Sequence, residues 1–388
     1  MSERKWESPR FDNSIFDKTP DRSGSFSFKW ERYKNQNILP VWVADTEFKC
    51  ATAILEALKS RVEHGILGYT LPAQYSPANE AVKHWCQQEY AWSIETDWIV
   101  WTPGVVPAFN MACQAFCKKG DAVMVQSPNY PPLLAAPSIN GLTRVDIPTI
   151  EKNQRWSIDL DELQKQAARP ECKLFIMCNP MNPVGSVLND AELARIASIC
   201  KENNVVLCSD EIHCDLILNE QCKHVPAGKL DLISEQSVTL MAASKTFNIA
   251  GLGTSFAIIP DPKVRARFVK SSAGIVPWVN ILGLVATEAA FTQCKDWHTQ
   301  ELAYLRNNRD YLVAEINAID GLRALTPEAT YLLWVDGSGL SIDNPQQWCE
   351  QKGVGPSPGK DFLAPGFFRI NFGCSMAFLQ QVVKRLSQ

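Results

Sequence analysis

What the chain lacks narrows it first. No run of apolar residues approaches the roughly 20 that a membrane-crossing helix requires. The opening residues, Met1-Ser2-Glu3-Arg4-Lys5-Trp6-Glu7, carry charge where an export signal has its apolar stretch. Positive charge is not in surplus: 38 lysines and arginines against 42 aspartates and glutamates give a formal charge of −4 and a pI near 5.8. That argues against a nucleic-acid partner or an anionic-membrane surface. The thirteen cysteines contain no Cys-x-x-Cys pair, and the five histidines (His64, His84, His213, His224, His298) show no metal-ligand spacing, so no metal is expected. Cys113, Cys178 and Cys208 lie in apolar runs, as reduced cysteines used as small hydrophobes do, and a cytoplasmic address is expected from them. Gly251-x-Gly253 has no third glycine, which sets aside a dinucleotide-binding loop. Internal repeats and low-complexity segments are also missing.

What is present is an ordinary globular composition, 46% hydrophobic and 21% charged over 388 residues, long enough for two domains. Between about residues 95 and 260, short β-branched runs alternate with amphipathic helical stretches. Candidate strands are 99–101, 122–125, 174–177, 205–207, 238–240 and 255–259, with helices expected over 107–117, 161–168 and 190–202. Asn189, followed three residues later by Glu192, reads as a capping pair for the last of these. Such alternation predicts an α/β fold with a mainly parallel sheet covered on both faces, and ligands in the crevice at the strands' carboxyl ends. After about residue 280 the texture changes to longer helices (297–316, 378–386) and strands at 331–335 and 367–372. This predicts a smaller α+β domain of residues 1–44 and 281–388 beside a large domain of residues 45–280.

Lys245 carries the most information. It follows the apolar run Val238-Thr239-Leu240 and is flanked by small residues. A half-buried lysine has a depressed pKa and serves as a nucleophile, a base or a Schiff-base former. A lone loop lysine would be ordinary. A second strand end, Val205-Val206-Leu207-Cys208-Ser209-Asp210-Glu211-Ile212-His213, changes that by delivering a carboxylate and an imidazole to the same sheet edge. Further strand-end motifs are Thr102-Pro103-Gly104-Val105-Val106, Ser127-Pro128-Asn129-Tyr130-Pro131 and Asn179-Pro180-Met181-Asn182-Pro183-Val184-Gly185. Taken singly, each could be a plain turn.

In this order, and with Ser244-Lys245-Thr246-Phe247-Asn248, they resemble the pyridoxal-phosphate (PLP) enzymes of fold type I, the aspartate-aminotransferase superfamily. The resemblance spans essentially the whole chain. It is closest in the MalY/PatB-type branch of cystathionine β-lyases and other C–S lyases, through Leu39-Pro40-Val41-Trp42-Val43-Ala44-Asp45, His64-Gly65-Ile66-Leu67-Gly68-Tyr69-Thr70 and Asp210-Glu211-Ile212-His213. It implies a seven-stranded, mainly parallel sheet between helices. It also implies that Lys245 holds PLP covalently and then moves the substrate's α-proton, and that Asp210 pairs with the pyridinium nitrogen. Asn182 and His213 would contact the ring's O3′, and Tyr130 would stack on its face. Gly104, Val105 and Val106 would open a helix toward the phosphate, helped by Ser244. Tyr69 would reach that phosphate from a second subunit, which implies a homodimer. Arg369 would clamp the α-carboxylate of a small amino-acid substrate, beside Tyr130 and Asn182.

Some positions depart from the pattern. Gly253 stands where many aminotransferases have a phosphate-binding arginine, Ala242 where relatives often have serine, and Asp45-Thr46-Glu47-Phe48 where the lyase branch usually has Asp-Met-Asp-Phe. The resemblance therefore implies a C–S β-lyase that takes cysteine S-conjugates to pyruvate, ammonia and a thiol. An aminotransferase using Lys245, Asp210 and Arg369 is the alternative, and a PLP-binding regulatory protein a further one.

Overall fold

The computed structural model describes residues 15–388. Eight strands form one sheet: β1 (Ile99–Thr102), β2 (Ala122–Ser127), β3 (Thr143–Lys152), β4 (Arg155–Ile158), β5 (Cys172–Cys178), β6 (Val206–Asp210), β7 (Ser237–Met241) and β8 (Ser255–Ile258). Their order is β1-β8-β7-β6-β5-β2-β3-β4. The central pairs β2–β3, β2–β5, β5–β6 and β6–β7 are parallel, while β8 runs antiparallel to both β1 and β7. β5, β6 and β7 are almost wholly buried, as strands covered on both faces must be, and their sequences are accordingly mostly apolar, with Lys173, Ser209, Asp210, Ser237 and Thr239 the exceptions.

The expected seven strands become eight because β3 extends past the sheet and folds back as a hairpin with β4. Asn153 and Gln154 both adopt positive φ (53° and 59°), the left-handed pair that a two-residue hairpin turn needs. Helix boundaries shift by one or two residues. Helix α1 (Val105–Phe116) starts two residues earlier than expected, directly after Gly104, and α2 (Asp190–Glu202) carries the predicted capping box.

A second, four-stranded sheet contains β9 (Arg323–Ala324), β10 (Leu332–Asp336), β11 (Ser357–Pro358) and β12 (Phe367–Asn371), in the order β9-β10-β12-β11. Helices α3 (Lys295–Ile316) and α4 (Met376–Leu386) cover it, and Phe16, Val41 and Phe48 from the N-terminal segment enter the same apolar cluster. Leu39–Pro40 also pairs in parallel with Val354–Gly355. The N-terminal segment is thereby brought across the carboxyl edge of the large sheet. Among the described residues no helix is long and apolar enough to cross a membrane.

Candidate active site

The carboxyl ends of β1, β2, β5, β6 and β7, together with the start of β8, open into one cavity of about 520 Å³. Its wall contains Gly104, Val105, Val106, Tyr130, Asn182, Asp210, His213, Ser244, Lys245 and Arg369. All the site residues expected from the sequence are therefore brought together except Tyr69.

Lys245 sits in the loop after β7. Thr246 anchors this loop from behind by donating to the buried Asp215 at 3.2 Å. In front, Asn248, at φ 54°, donates to the carbonyls of Thr46 (3.0 Å) and Phe48 (2.7 Å) and accepts from the Thr46 N–H. Asn371, at the end of β12, holds the same segment through the carbonyls of Val43 and Asp45. Two asparagines thus fix the 43–48 segment so that the Ala44 carbonyl faces the lysine. It accepts from Lys245 Nζ at 2.7 Å and from the Tyr331 hydroxyl at 3.0 Å. Burial lowers the Lys245 pKa to about 8, with the Arg369 charge adding to the shift and Asp45 and Asp210 opposing it.

Asp210 ends β6 and is 3% exposed. Its carboxylate accepts the backbone N–H of Ile212 at 3.2 Å. Burial raises its pKa to about 7; Glu211 pushes the same way, and Lys245 opposes. His213 is driven down to about 3, first by burial and then by the Lys245 and Arg369 charges, so it is neutral at working pH. Its ring meets Tyr331 edge-on at 6.1 Å, and its Nδ1 is buried without a hydrogen-bond partner.

Arg369, on β12, is 4% exposed. It donates to Asn182 Oδ1 (2.7 Å), the Trp42 carbonyl (2.8 Å) and Ser357 Oγ (3.3 Å), and packs over Phe362 at 4.8 Å. No carboxylate pairs with it among the described residues, and its Nε has no partner. Burial lowers its pKa to about 10. Gly104, at φ 132° and ψ 157°, turns the chain from β1 into α1, a backbone setting in which a side chain would be strained. The first N–H groups of α1 then face the cavity with the positive end of the helix dipole behind them.

Tyr69 lies elsewhere. It is fully exposed, with its ring 6.3 Å from that of Trp278. Exposed Ile66, Leu67, Leu71, Ile275 and Trp278 carry large apolar side chains in the same two stretches of chain. The cavity wall also contains residues that the sequence did not single out. Thr254 and Ser255 follow Gly253 in the wall, and Phe28, Arg32, Asp361 and Phe362 also contribute to it. Hydroxyl-bearing residues directly after a strand-start glycine were the only available signal for the first pair.

A mainly parallel sheet with a half-buried lysine and a buried carboxylate at its carboxyl edge, faced by an arginine from a second sheet, defines an α/β fold of the aminotransferase type. The chain matches the aminotransferase class I and II family over residues 43–386 and belongs to it. Cystathionine beta-lyase PatB of Bacillus subtilis (strain 168) is 39% identical over 383 residues, covering 96% of this chain and 98% of PatB. The crystal structure of OvoB superposes with a TM-score of 0.93 at 39% identity, over 96% of this chain and 98% of that one. Cystalysin from Treponema denticola, whose structure contains a pyridoxal 5′-phosphate cofactor, gives a TM-score of 0.92 at 31% identity, over 96% and 97% of the two chains.

Proposed function

We propose that this protein is a PLP-dependent C–S β-lyase that converts cysteine S-conjugates such as cystathionine, with water, to pyruvate, ammonia and a thiol. The observation that carries the reading is a set of uncompensated groups in one cavity. A buried carboxylate (Asp210) lacks a cation in direct contact, a half-buried amine (Lys245) has only carbonyl contact, and a buried guanidinium (Arg369) lacks an anion. A ligand with a protonated ring nitrogen and an aldehyde, joined by an amino acid's carboxylate, satisfies all three. The residues therefore fit PLP, and the cofactor found in the structure of cystalysin supports the assignment.

Bound there, PLP supplies an electron sink for the bonds at the substrate's α-carbon. Lys245 Nζ would hold the cofactor at its aldehyde carbon, and when free it has the Ala44 carbonyl as its acceptor at 2.7 Å. Its lowered pKa lets it take the α-proton near neutral pH. Asp210 would pair with the ring nitrogen and keep it protonated. Neutral His213 and the Asn182 amide would serve O3′. Tyr130 would cover the ring, and Gly104, Val105, Val106 and Ser244 would hold the phosphate. Arg369 pairs with the substrate α-carboxylate, and Asn182 Oδ1, the Trp42 carbonyl and Ser357 pre-orient its fork. Arg369→Ala should raise KM for cystathionine about 100-fold, as expected for loss of a two-point charged pair, with a smaller fall in kcat, read from initial rates of pyruvate release.

The decisive assay adds L-cystathionine to the holoenzyme without any keto acid. Pyruvate and a free thiol should appear in equal amounts; strict dependence on 2-oxoglutarate would overturn the lyase reading in favour of transamination.

A homodimer is part of the proposal. Fully exposed Tyr69 and its apolar neighbours are suited to a second copy, from which Tyr69 would reach the partner's phosphate. The division into 45–280 and the remainder is proposed with one change. Helix Ile281–Gln293 packs in the cluster that holds Ile54 and Trp85, which moves the second boundary to about residue 294. A cytoplasmic location is proposed from the thirteen free, mostly buried cysteines.

A further inference from the structure

The segment that presents the Ala44 carbonyl to Lys245 also carries half of a buried charge cluster. Lys29, on the short helix Phe28–Glu31, is 1% exposed. Its Nζ meets Glu47 Oε1 at 2.7 Å and Asp45 Oδ1 at 3.5 Å, and donates to the Asp45 carbonyl at 3.3 Å. Arg22 pairs with the same two acids, at 2.8 Å to Asp45 Oδ2 and 3.2 Å to Glu47 Oε1, and donates to the Thr46 carbonyl at 3.4 Å. The Trp30 indole N–H donates to Glu47 Oε2 at 3.1 Å. Two cations thus face two carboxylates, and the cluster is neutral as a whole.

Buried ion pairs stabilise little more than apolar side chains of the same size, so this cluster adds little to the fold that packing could not supply. Its position gives it another effect. Asp45 directly follows Ala44, and its charge favours the ammonium form of Lys245. Asp210, at the end of β6, acts in the same direction, and Arg369, on β12, acts against it. Neutral His213 and the Tyr331 hydroxyl complete the titratable groups around the amine. Of the three charges, only Asp45 is in contact with an opposite charge among the described residues. How strongly Asp45 acts on the amine therefore depends on how far Arg22 and Lys29 offset it. Glu47, which touches both cations, takes up part of their charge.

We infer that Arg22, Lys29, Asp45 and Glu47 are positioning residues for Lys245: together they fix its carbonyl acceptor and set the share of the amine that is uncharged and nucleophilic. The inference rests on the reading of Lys245 as the residue that takes up the cofactor's aldehyde, and adds to it. It also gives a use to the departure at Asp45-Thr46-Glu47-Phe48, since the Glu47 carboxylate reaches Lys29, Arg22 and Trp30 at once.

Pyridoxal 5′-phosphate added to the cofactor-free full-length protein tests it, with the growth of visible absorbance timed from about pH 6 to about pH 9.5. The pH midpoint of the loading rate reads the charge on Lys245, and the plateau at high pH reads its placement. Lys29→Met removes a cation beside Asp45 and should move the midpoint up by about half a pH unit, so that loading near about pH 6.5 falls about threefold. Arg22→Gln, at a partly exposed site, should do the same without emptying the core. Glu47→Gln leaves both cations to Asp45 alone and should move the midpoint down by a similar amount. Combining Lys29→Met with Glu47→Gln restores neutrality and should return it to the wild-type value. A merely structural cluster would lower the plateau in these variants without separating their midpoints. Any result other than opposite shifts in Arg22→Gln and Glu47→Gln would overturn the inference, while normal wild-type loading would leave the role of Lys245 standing. Wild-type protein that takes up no cofactor at any pH would overturn both.

Discussion

Lys245→Ala is expected to lower turnover of cystathionine by at least about 10⁴-fold, since the one change removes both the covalent anchor and the proton-transfer base. The cofactor should then wash out on gel filtration, taking the protein's visible absorbance with it. Lys245→Arg separates charge from chemistry. It keeps a cation in the cavity, yet a guanidinium gives up no proton at working pH, so it should be as inactive as alanine. The wild-type lysine adds a pH signature. Its value of about 8 in the folded, cofactor-free protein lies below the ordinary 10.5, so the neutral amine, which is the nucleophile, accumulates as pH rises. The rate of covalent cofactor loading should therefore climb tenfold per pH unit from pH 6 and level off above about pH 8, with about one amine in a hundred reactive at pH 6. A loading rate that stays flat over that interval would show that the lysine does not titrate where its burial puts it.

The residues that do chemistry were readable because they combine two signals. Each follows an apolar strand run, and each is of a type that burial makes expensive without a partner, as with Asp210, His213 and Lys245. Once strands alternate with helices, parallel packing sends every such end to one edge, so the constellation follows from order along the chain. The rest lacked one signal or the other. The Ala44 carbonyl is a backbone group with no residue signature, and its aim depends on Asn248 and Asn371, which lie more than 100 residues apart in the chain. Tyr331 begins an apolar strand and reads as core, yet its hydroxyl shares the Lys245 acceptor. Arg32 and Asp361 are exposed and ordinary in type, and only the fold brings them to one cavity. The β3–β4 hairpin went unread because Asn153-Gln154 lacks the glycine that usually marks such turns.

Asp210→Asn should move activity and stability in opposite directions. Asparagine keeps the size of the side chain and can still accept the Ile212 N–H, but it cannot hold a protonated ring nitrogen in place. Loss of that electrostatic contact should cost about 10²–10³-fold in kcat. In the cofactor-free protein the same carboxylate is a liability. Its pKa, raised from 3.8 to about 7, means that the protonated form favours the fold. This contribution is complete below about pH 4 and is lost as pH rises through 7, so at pH 8 the wild type holds an ionised, poorly paired carboxylate. The neutral amide escapes that cost, and cofactor-free Asp210→Asn should be more stable than wild type by roughly 2–4 kcal/mol at pH 8. The gap should close as pH falls to about 4. Thermal melts of both cofactor-free proteins across this range measure it. A purely structural aspartate would lose stability and activity together, so a variant that melts lower than wild type at pH 8 would remove Asp210 from its assigned role.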